Sequence, residues 1–270
     1  MRRDCKVRPV AGPSARRART SLRLRALDAR DRLSGRAGQL VPARRLQFVG
    51  EGDFVSVGDE FLSHLVALCG LRAEDRVLDI GCGIGRLARP LAGYLSIDGA
   101  YAGFDVNAAG IRWCAQRYGH FPQFAFTHAD VRNARYNPGG TDDPATYRFP
   151  YDDGAFDVAV AVSVLTHLTA DVALHYLGQT RRVLAPGGRI LFTAFVLDPD
   201  APDPALAFGP ARDGMAVVDE ALPEEAVAFE SDWLLEALRA AGLDLVAIHP
   251  GSWTGRDGGL SFQDVVVARA

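Results

Sequence analysis

From Val57 onward, apolar positions along the chain switch repeatedly between helical and strand spacing. Gly58–Cys69 places Phe61, Leu62, Leu65, Val66 and Leu68 at helical spacing, and Gly70 supplies the stop. Arg76–Ile80 (RVLDI) is a short apolar run that ends in a glycine cluster, and Arg86–Leu95 returns to a helical pattern. Tyr101–Asp105 reads as a second strand, followed by a helix from Asn107 to about Tyr118 with Asn107 as its N-cap. Phe124–Thr127 is a third strand. Phe156–Val162 (FDVAVAV) is a fourth, apolar on both faces, which suits the buried centre of a parallel sheet. A helix over Asp171–Leu184 turns Leu174, Leu177, Val183 and Leu184 inward. Pro186-Gly187-Gly188 makes a tight turn into Arg189–Phe195, the fifth strand. Ser231 is the expected N-cap of a helix over Trp233–Ala241 that ends at Gly242, and Leu243–Ile248 and Phe262–Arg269 finish as two strands.

Strands alternating with helices in this way require crossovers on both faces of a mostly parallel sheet. The last two strands have no helix between them, so one of them can run in reverse. The expected fold is α/β: a seven-stranded, mostly parallel sheet with one antiparallel strand and helices on both faces. Three stretches stand outside this alternation. They are the chain before about Gly58, a Pro-, Gly- and Asp-rich loop over 133–151, and the segment 198–230. The expected organisation is a flexible basic tail over residues 1–21, a helical lead-in over 22–56, and a main domain over 57–270 with an acidic insertion at 198–230.

Composition narrows the class. A chain of 270 residues with 48% hydrophobic and 23% charged positions can bury a full core, which excludes disorder throughout. No apolar run is long enough to span a membrane, and residues 1–20 lack the apolar centre of a secretory signal, so a cytoplasmic protein is expected. The net charge of −3 hides a split: residues 1–45 carry fourteen basic and three acidic residues, while the segment 198–230 carries nine acids against Arg212 alone. Leu22–Leu33 mixes leucines with arginines at roughly helical spacing, which predicts an amphipathic helix able to dock on the acidic insertion. The rest of the chain is acidic and lacks aromatic–basic interleaving, which argues against a nucleic-acid partner. Four cysteines form no CxxC pair and six histidines share no ligand spacing, so no metal site is expected.

The sharpest local signal is Asp79-Ile80-Gly81-Cys82-Gly83-Ile84-Gly85-Arg86, where glycines follow a buried strand and open a helix. Missing side chains let a ligand approach the backbone at the carboxyl end of a strand, where open α/β sheets bind their ligands. A nicotinamide dinucleotide fits poorly. The sixth position counted from Gly81 is Arg86 rather than glycine or alanine, and Asp79 would oppose a pyrophosphate while favouring an ammonium.

This loop resembles the first motif of class I S-adenosylmethionine-dependent methyltransferases. Further landmarks fall in order: Asp105 at the end of the second strand, His128-Ala129-Asp130-Val131, Phe149-Pro150-Tyr151 leading to Phe156-Asp157, and Leu184-Ala185-Pro186-Gly187-Gly188. The resemblance implies a Rossmann-like domain from roughly Phe54 to Ala270 and S-adenosyl-L-methionine as cofactor. It implies that Asp79 and the backbone of Gly81, Cys82, Gly83, Ile84 and Gly85 hold the amino-acid end. Asp105 would hold the ribose hydroxyls, Ile84 and Val106 would wall the nucleoside, and Asp130 and Val131 would flank the adenine. Ser163 completes the expected cofactor set. The lead-in Val41–Gly50 and the tail Trp253-Thr254-Gly255-Arg256 are similar to those of a bacterial small-molecule subgroup.

Methyl transfer from a sulfonium chiefly needs alignment, and a hydroxyl acceptor also gains from a general base. His167, just past the fourth strand, is the candidate base, with Asp153 and Ser163 as weaker options. Arg45, Tyr136, Tyr147, Trp253 and Arg256 are candidate acceptor contacts. The expected activity is methylation of a small-molecule or sugar-like acceptor at oxygen. A cofactor-binding partner subunit without chemistry, and an enzyme acting on a protein or nucleic acid, are the alternatives.

Overall fold

In the computed structural model of this chain, the RVLDI run forms β1 (Arg76–Ile80) at the middle of the sheet. It pairs in parallel with β2 (Ala100–Asp105) on one side and β4 (Phe156–Ala161) on the other. β3 (Phe124–His128) extends the sheet beyond β2, and β5 (Leu184–Val196) continues it beyond β4, both in parallel. The residues described are 52–270, together with 40–48, Leu24, Arg25, Leu27, Asp28 and Gly38. The chain divides into two units, Met1–Glu51 and Gly52–Ala270. In the first, the Asp28 carboxylate accepts from the Arg44 backbone N–H at 2.6 Å and from Arg45 Nη1 at 2.7 Å. The predicted basic tail and most of the Leu22–Leu33 helix, with its expected docking on the acidic insertion, lie outside the described residues.

The helices follow the apolar periodicity, with boundaries set by caps, except that Leu174, expected to face inward, is 38% exposed. α1 (Phe54–Cys69) starts about one turn earlier than its spacing suggests, because the Asp53 side chain accepts from the Ser56 N–H at 2.9 Å. It ends at Gly70 in the left-handed conformation. α2 (Ala88–Tyr94) follows the glycine cluster. α3 (Ala108–Arg117) is capped by Asn107, whose side chain accepts from the Gly110 N–H at 2.9 Å. α4 (Ala170–Val183) and α5 (Ser231–Ala240) complete the set and pack on each other. Ser231 is not the N-cap. β7 (Val227–Phe229) runs straight into the helix, so Glu230 takes the cap position and Ser231 becomes the first helical residue.

β8 (Asp244–His249) and β9 (Asp264–Arg269) pair antiparallel, and β9 pairs antiparallel with β5. β9 is therefore the reversed strand of an otherwise parallel seven-stranded core. The structure adds two strands inside the acidic insertion. β6 (Met215–Val217) and β7 form a hairpin, and β7 pairs in parallel with the last residues of β5, through Phe195 and Val196. Each strand is an apolar triplet, too short for alternation to announce it. The Pro186-Gly187-Gly188 turn lies within β5 as an irregularity, between the pairs Phe156–Leu184 and Val158–Arg189. The fourth strand is buried almost throughout, as its two-faced apolar run requires.

Candidate functional site

Parallel β1 and β2 end side by side, which brings the glycine loop against Asp105. Gly81, Gly83 and Gly85 adopt φ of +70°, +58° and +79°, a region that favours glycine. The Gly81 and Cys82 N–H groups donate to the Phe104 carbonyl at 2.9 and 3.0 Å. The Gly83 N–H donates to Asp105 Oδ2 at 2.7 Å, and the Asn107 N–H donates to Asp105 Oδ1 at 2.7 Å. Each carboxylate oxygen thus spends one acceptor position on the backbone and keeps another. Burial pushes the Asp105 carboxyl upward, and the two N–H donors oppose that shift. Cys82 and Ile84 are buried beneath the loop, while Val106 is half-buried and its carbonyl faces His128 Nε2 at 3.2 Å.

Asp79 lies below the loop at 4% exposure and accepts from the Tyr101 hydroxyl at 2.7 Å. Burial pushes its carboxyl up to about 7; the Tyr101 hydrogen bond opposes the shift and the nearby Asp105 charge adds to it. The strand register explains the pair. Val77 faces Tyr101 and Asp79 faces Gly103, so Tyr101 leans along the strand into space that Gly103 leaves empty. A Cβ on Gly103 would stand 2.8 Å from both the Tyr101 hydroxyl and Cys82 Cβ. Sequence reasoning missed this partner. The signal was a glycine two positions beyond a tyrosine on the strand facing Asp79.

Asp130 and Val131 follow β3 but serve the 133–151 loop. Asp130 accepts from Asn137 Nδ2 at 3.1 Å and from Thr141 Oγ1 at 3.0 Å, and these bonds hold its carboxyl below the usual range. Val131 is buried in the core. At the far end of the loop, Phe149 packs on Phe104 with ring centroids 4.8 Å apart.

The chain leaves β4 through Ser163 at φ +56°, an uncommon conformation for a residue with a side chain. Its N–H donates to Thr193 Oγ1 at 2.7 Å, and its hydroxyl donates to Gln263 Oε1 at 3.0 Å. Val164 then presses on the glycine loop, since a Cβ on Gly81 would lie 2.5 Å from its side chain. A single 3-10 turn, Leu165–His167, follows, with the His167 N–H donating to the Val164 carbonyl at 2.9 Å. Val164, the residue that leads into the histidine turn, is therefore seated against the glycine loop. His167 Nδ1 lies 2.8 Å from the Glu224 backbone carbonyl, and Nε2 lies 3.3 Å from the Tyr136 hydroxyl. A carbonyl only accepts, so Nδ1 carries the proton and Nε2 presents the lone pair. Burial lowers the pKa of the imidazole, with the Glu224 contact opposing and Arg135 adding to the shift.

The other acceptor candidates scatter. Trp253 is 2% exposed and donates its indole N–H to Asp264 at 2.8 Å, which makes it a core residue and not an acceptor contact. Arg256 pairs with Asp198, and the Tyr147 carbonyl faces His175 Nε2 at 2.8 Å. An open cleft of about 480 Å³ lies at the opposite end of the central strands, near the starts of β1, β4 and β5, lined in part by Arg72, Asp75, Asp157 and Arg189. Arg72 pairs with Asp75, Asp157 pairs with Arg76, and Arg189 donates to the Cys69 carbonyl.

A protein-family profile described as a methyltransferase domain matches residues 54–248. A phthiotriol/phenolphthiotriol dimycocerosates methyltransferase 1 of Mycobacterium ulcerans is 32% identical over 118 residues, covering 44% of this chain and 36% of the relative. The 27-O-demethylrifamycin SV methyltransferase of Amycolatopsis mediterranei is 31% identical over 142 residues, covering 50% of this chain and 44% of the relative. Each match thus spans less than half of the curated relative. Among solved structures, the 1,6-didemethyltoxoflavin-N1-methyltransferase of Burkholderia thailandensis, with 1,6-didemethyltoxoflavin and S-adenosylhomocysteine bound, shares the fold. It aligns at a TM-score of 0.51 with 21% identity, over 98% of this chain and 96% of its own.

Proposed function

Because this chain belongs to the methyltransferase-domain family, in its class I S-adenosylmethionine-dependent form, we propose that it methylates an oxygen of a small-molecule acceptor, with His167 as the base. The donor set at the loop suits this cofactor. Asp105 keeps an acceptor position on each oxygen, as two ribose hydroxyls require. Asp79 commits Oδ2 to Tyr101, and among the described residues Oδ1 has no hydrogen-bond partner, so it is the atom for an ammonium. The positive-φ glycines let the amino-acid end approach the backbone. Asp130 keeps spare lone pairs for the adenine amine, and Ser163 lines the exit of β4.

When bound, the cofactor supplies a methyl group activated by its sulfonium. The chain's own task is to align the acceptor and to take its proton. One observation carries the oxygen reading: the Glu224 carbonyl fixes the His167 tautomer, so a neutral imidazole holds a lone pair at Nε2, on the turn that Val164 leads into from the glycine loop. An amine acceptor has less need of such a base. The relatives named as a phthiotriol/phenolphthiotriol dimycocerosates methyltransferase and a 27-O-demethylrifamycin SV methyltransferase support the acceptor class.

The test is transfer of labelled methyl from S-adenosylmethionine into a panel of hydroxylated polyketide and phenolic compounds. Label recovered as a methyl ether, and lost in His167→Gln, is the expected result. Label appearing only on nitrogen or carbon, or His167→Gln at full rate, would sink the oxygen reading.

A further inference from the structure

We propose that the acceptor's proton reaches His167 through the hydroxyl of Tyr136, which makes Tyr136 a catalytic residue with His167 standing behind it. This rests on His167 as the base. Nδ1–H is committed to the Glu224 carbonyl, so Nε2 is the only basic atom, and the Tyr136 hydroxyl caps it at 3.3 Å. The two rings meet edge to face, with centroids 5.2 Å apart at 79°. An acceptor hydroxyl therefore meets the phenol first. A phenol oxygen that donates to Nε2 still carries lone pairs, so it can receive one proton while passing on its own.

The surroundings hold Tyr136 in that posture. Asn133 Oδ1 accepts from the backbone N–H groups of Arg135 at 3.1 Å and Tyr136 at 2.9 Å, which pins the turn that carries the ring. The Arg135 guanidinium lies 5.4 Å from the ring centroid and pairs with Glu225. Its charge stabilises phenolate character as the proton moves. Glu224 and Glu225 are adjacent on one short turn, so the same two residues set the histidine tautomer and anchor the arginine. Two buried tyrosines are spent otherwise: Tyr101 binds a carboxylate and Tyr118 a backbone carbonyl.

The step balances. The acceptor O–H bond breaks and its proton passes to the Tyr136 oxygen, while the tyrosine's own proton passes to His167 Nε2. The acceptor oxygen forms its bond to the methyl carbon, and the C–S bonding pair returns to sulfur. Tyr136 ends unchanged, and the imidazolium loses its proton to solvent.

Tyr136→Phe keeps the ring, its contact with Arg135 and its packing on His167, and removes only the hydroxyl. Nitrogen-15 NMR of the full chain, histidine-labelled and saturated with S-adenosylhomocysteine, reads the first consequence. Wild type should show His167 protonated at Nδ1 with a hydrogen-bonded Nε2, and Tyr136→Phe should move that Nε2 resonance to a free lone pair. With the hydroxyl compound that wild type methylates, Tyr136→Phe should lower kcat by about tenfold or more, with the cofactor KM unchanged. An Nε2 resonance indifferent to the substitution, or full kcat in Tyr136→Phe, overturns the relay. Full kcat in His167→Gln overturns the base assignment instead, so the two failures are distinguishable.

Discussion

The Tyr101 hydroxyl donates to Asp79 across 2.7 Å, beneath the glycine loop. Burial raises the Asp79 carboxyl from 3.8 to about 7, so the ligand-free chain holds it largely protonated below that value. The sign follows directly. A carboxyl raised on folding contributes stability that is fully present below its unfolded pKa and is lost as pH climbs through about 7. Asp79→Asn removes this dependence. Relative to wild type, the variant should gain about 2–3 kcal/mol between about pH 5 and about pH 8 in urea unfolding without ligand. A difference that does not change with pH would contradict the buried, raised carboxyl.

In the proposed site, the same proton couples to the cofactor. An ammonium at Asp79 needs the carboxylate, so binding releases a proton wherever the free chain holds Asp79 protonated. Affinity for S-adenosylhomocysteine should weaken as pH falls below about 7, approaching tenfold per pH unit at most. Calorimetry in two buffers of different ionisation enthalpy measures the released proton, and an identical heat in both near neutral pH would refute the linkage.

Gly103→Ala should disturb this arrangement from the neighbouring strand. The added methyl stands 2.8 Å from both the Tyr101 hydroxyl and Cys82 Cβ, so one of them must shift. Overpacking of this kind costs about 1–3 kcal/mol, read as a lower Tm. Unchanged stability would mean that the strand relaxes easily at that position.

His167 should stay neutral well into mild acid, because burial lowers its pKa. The acid limb of log kcat against pH should therefore fall below the ordinary histidine value of about 6.5. Activity should rise with pH through that limb and then level. His167→Gln should lower kcat by about a hundredfold or more while leaving S-adenosylhomocysteine affinity intact. A limb above the ordinary value would mean that the imidazole is held protonated.

Much of the frame was legible because it rests on local signals. The RVLDI strand, the Asn107 cap and the Gly70 stop follow from side-chain chemistry within a few residues. The glycine loop and Asp105 stand at consecutive strand ends, and parallel pairing brings such ends together. What escaped is non-local. Tyr101 meets Asp79 only through register, and β6 and β7 exist only because the end of β5 offers them an edge. The grip on His167 comes from the Glu224 backbone carbonyl, an atom that every residue carries and no sequence pattern can flag. Asp130 was legible as a position, while its bonds to Asn137 and Thr141 were not.

In the proposed site the glycine loop and Asp105 together hold the cofactor, and titration calorimetry with S-adenosylhomocysteine tests this most directly. Wild type should bind, and Asp105→Ala should bind about tenfold to a hundredfold more weakly, the worth of hydrogen bonds to a charged acceptor. Equal affinity in the two proteins, or no binding by wild type, would contradict the account.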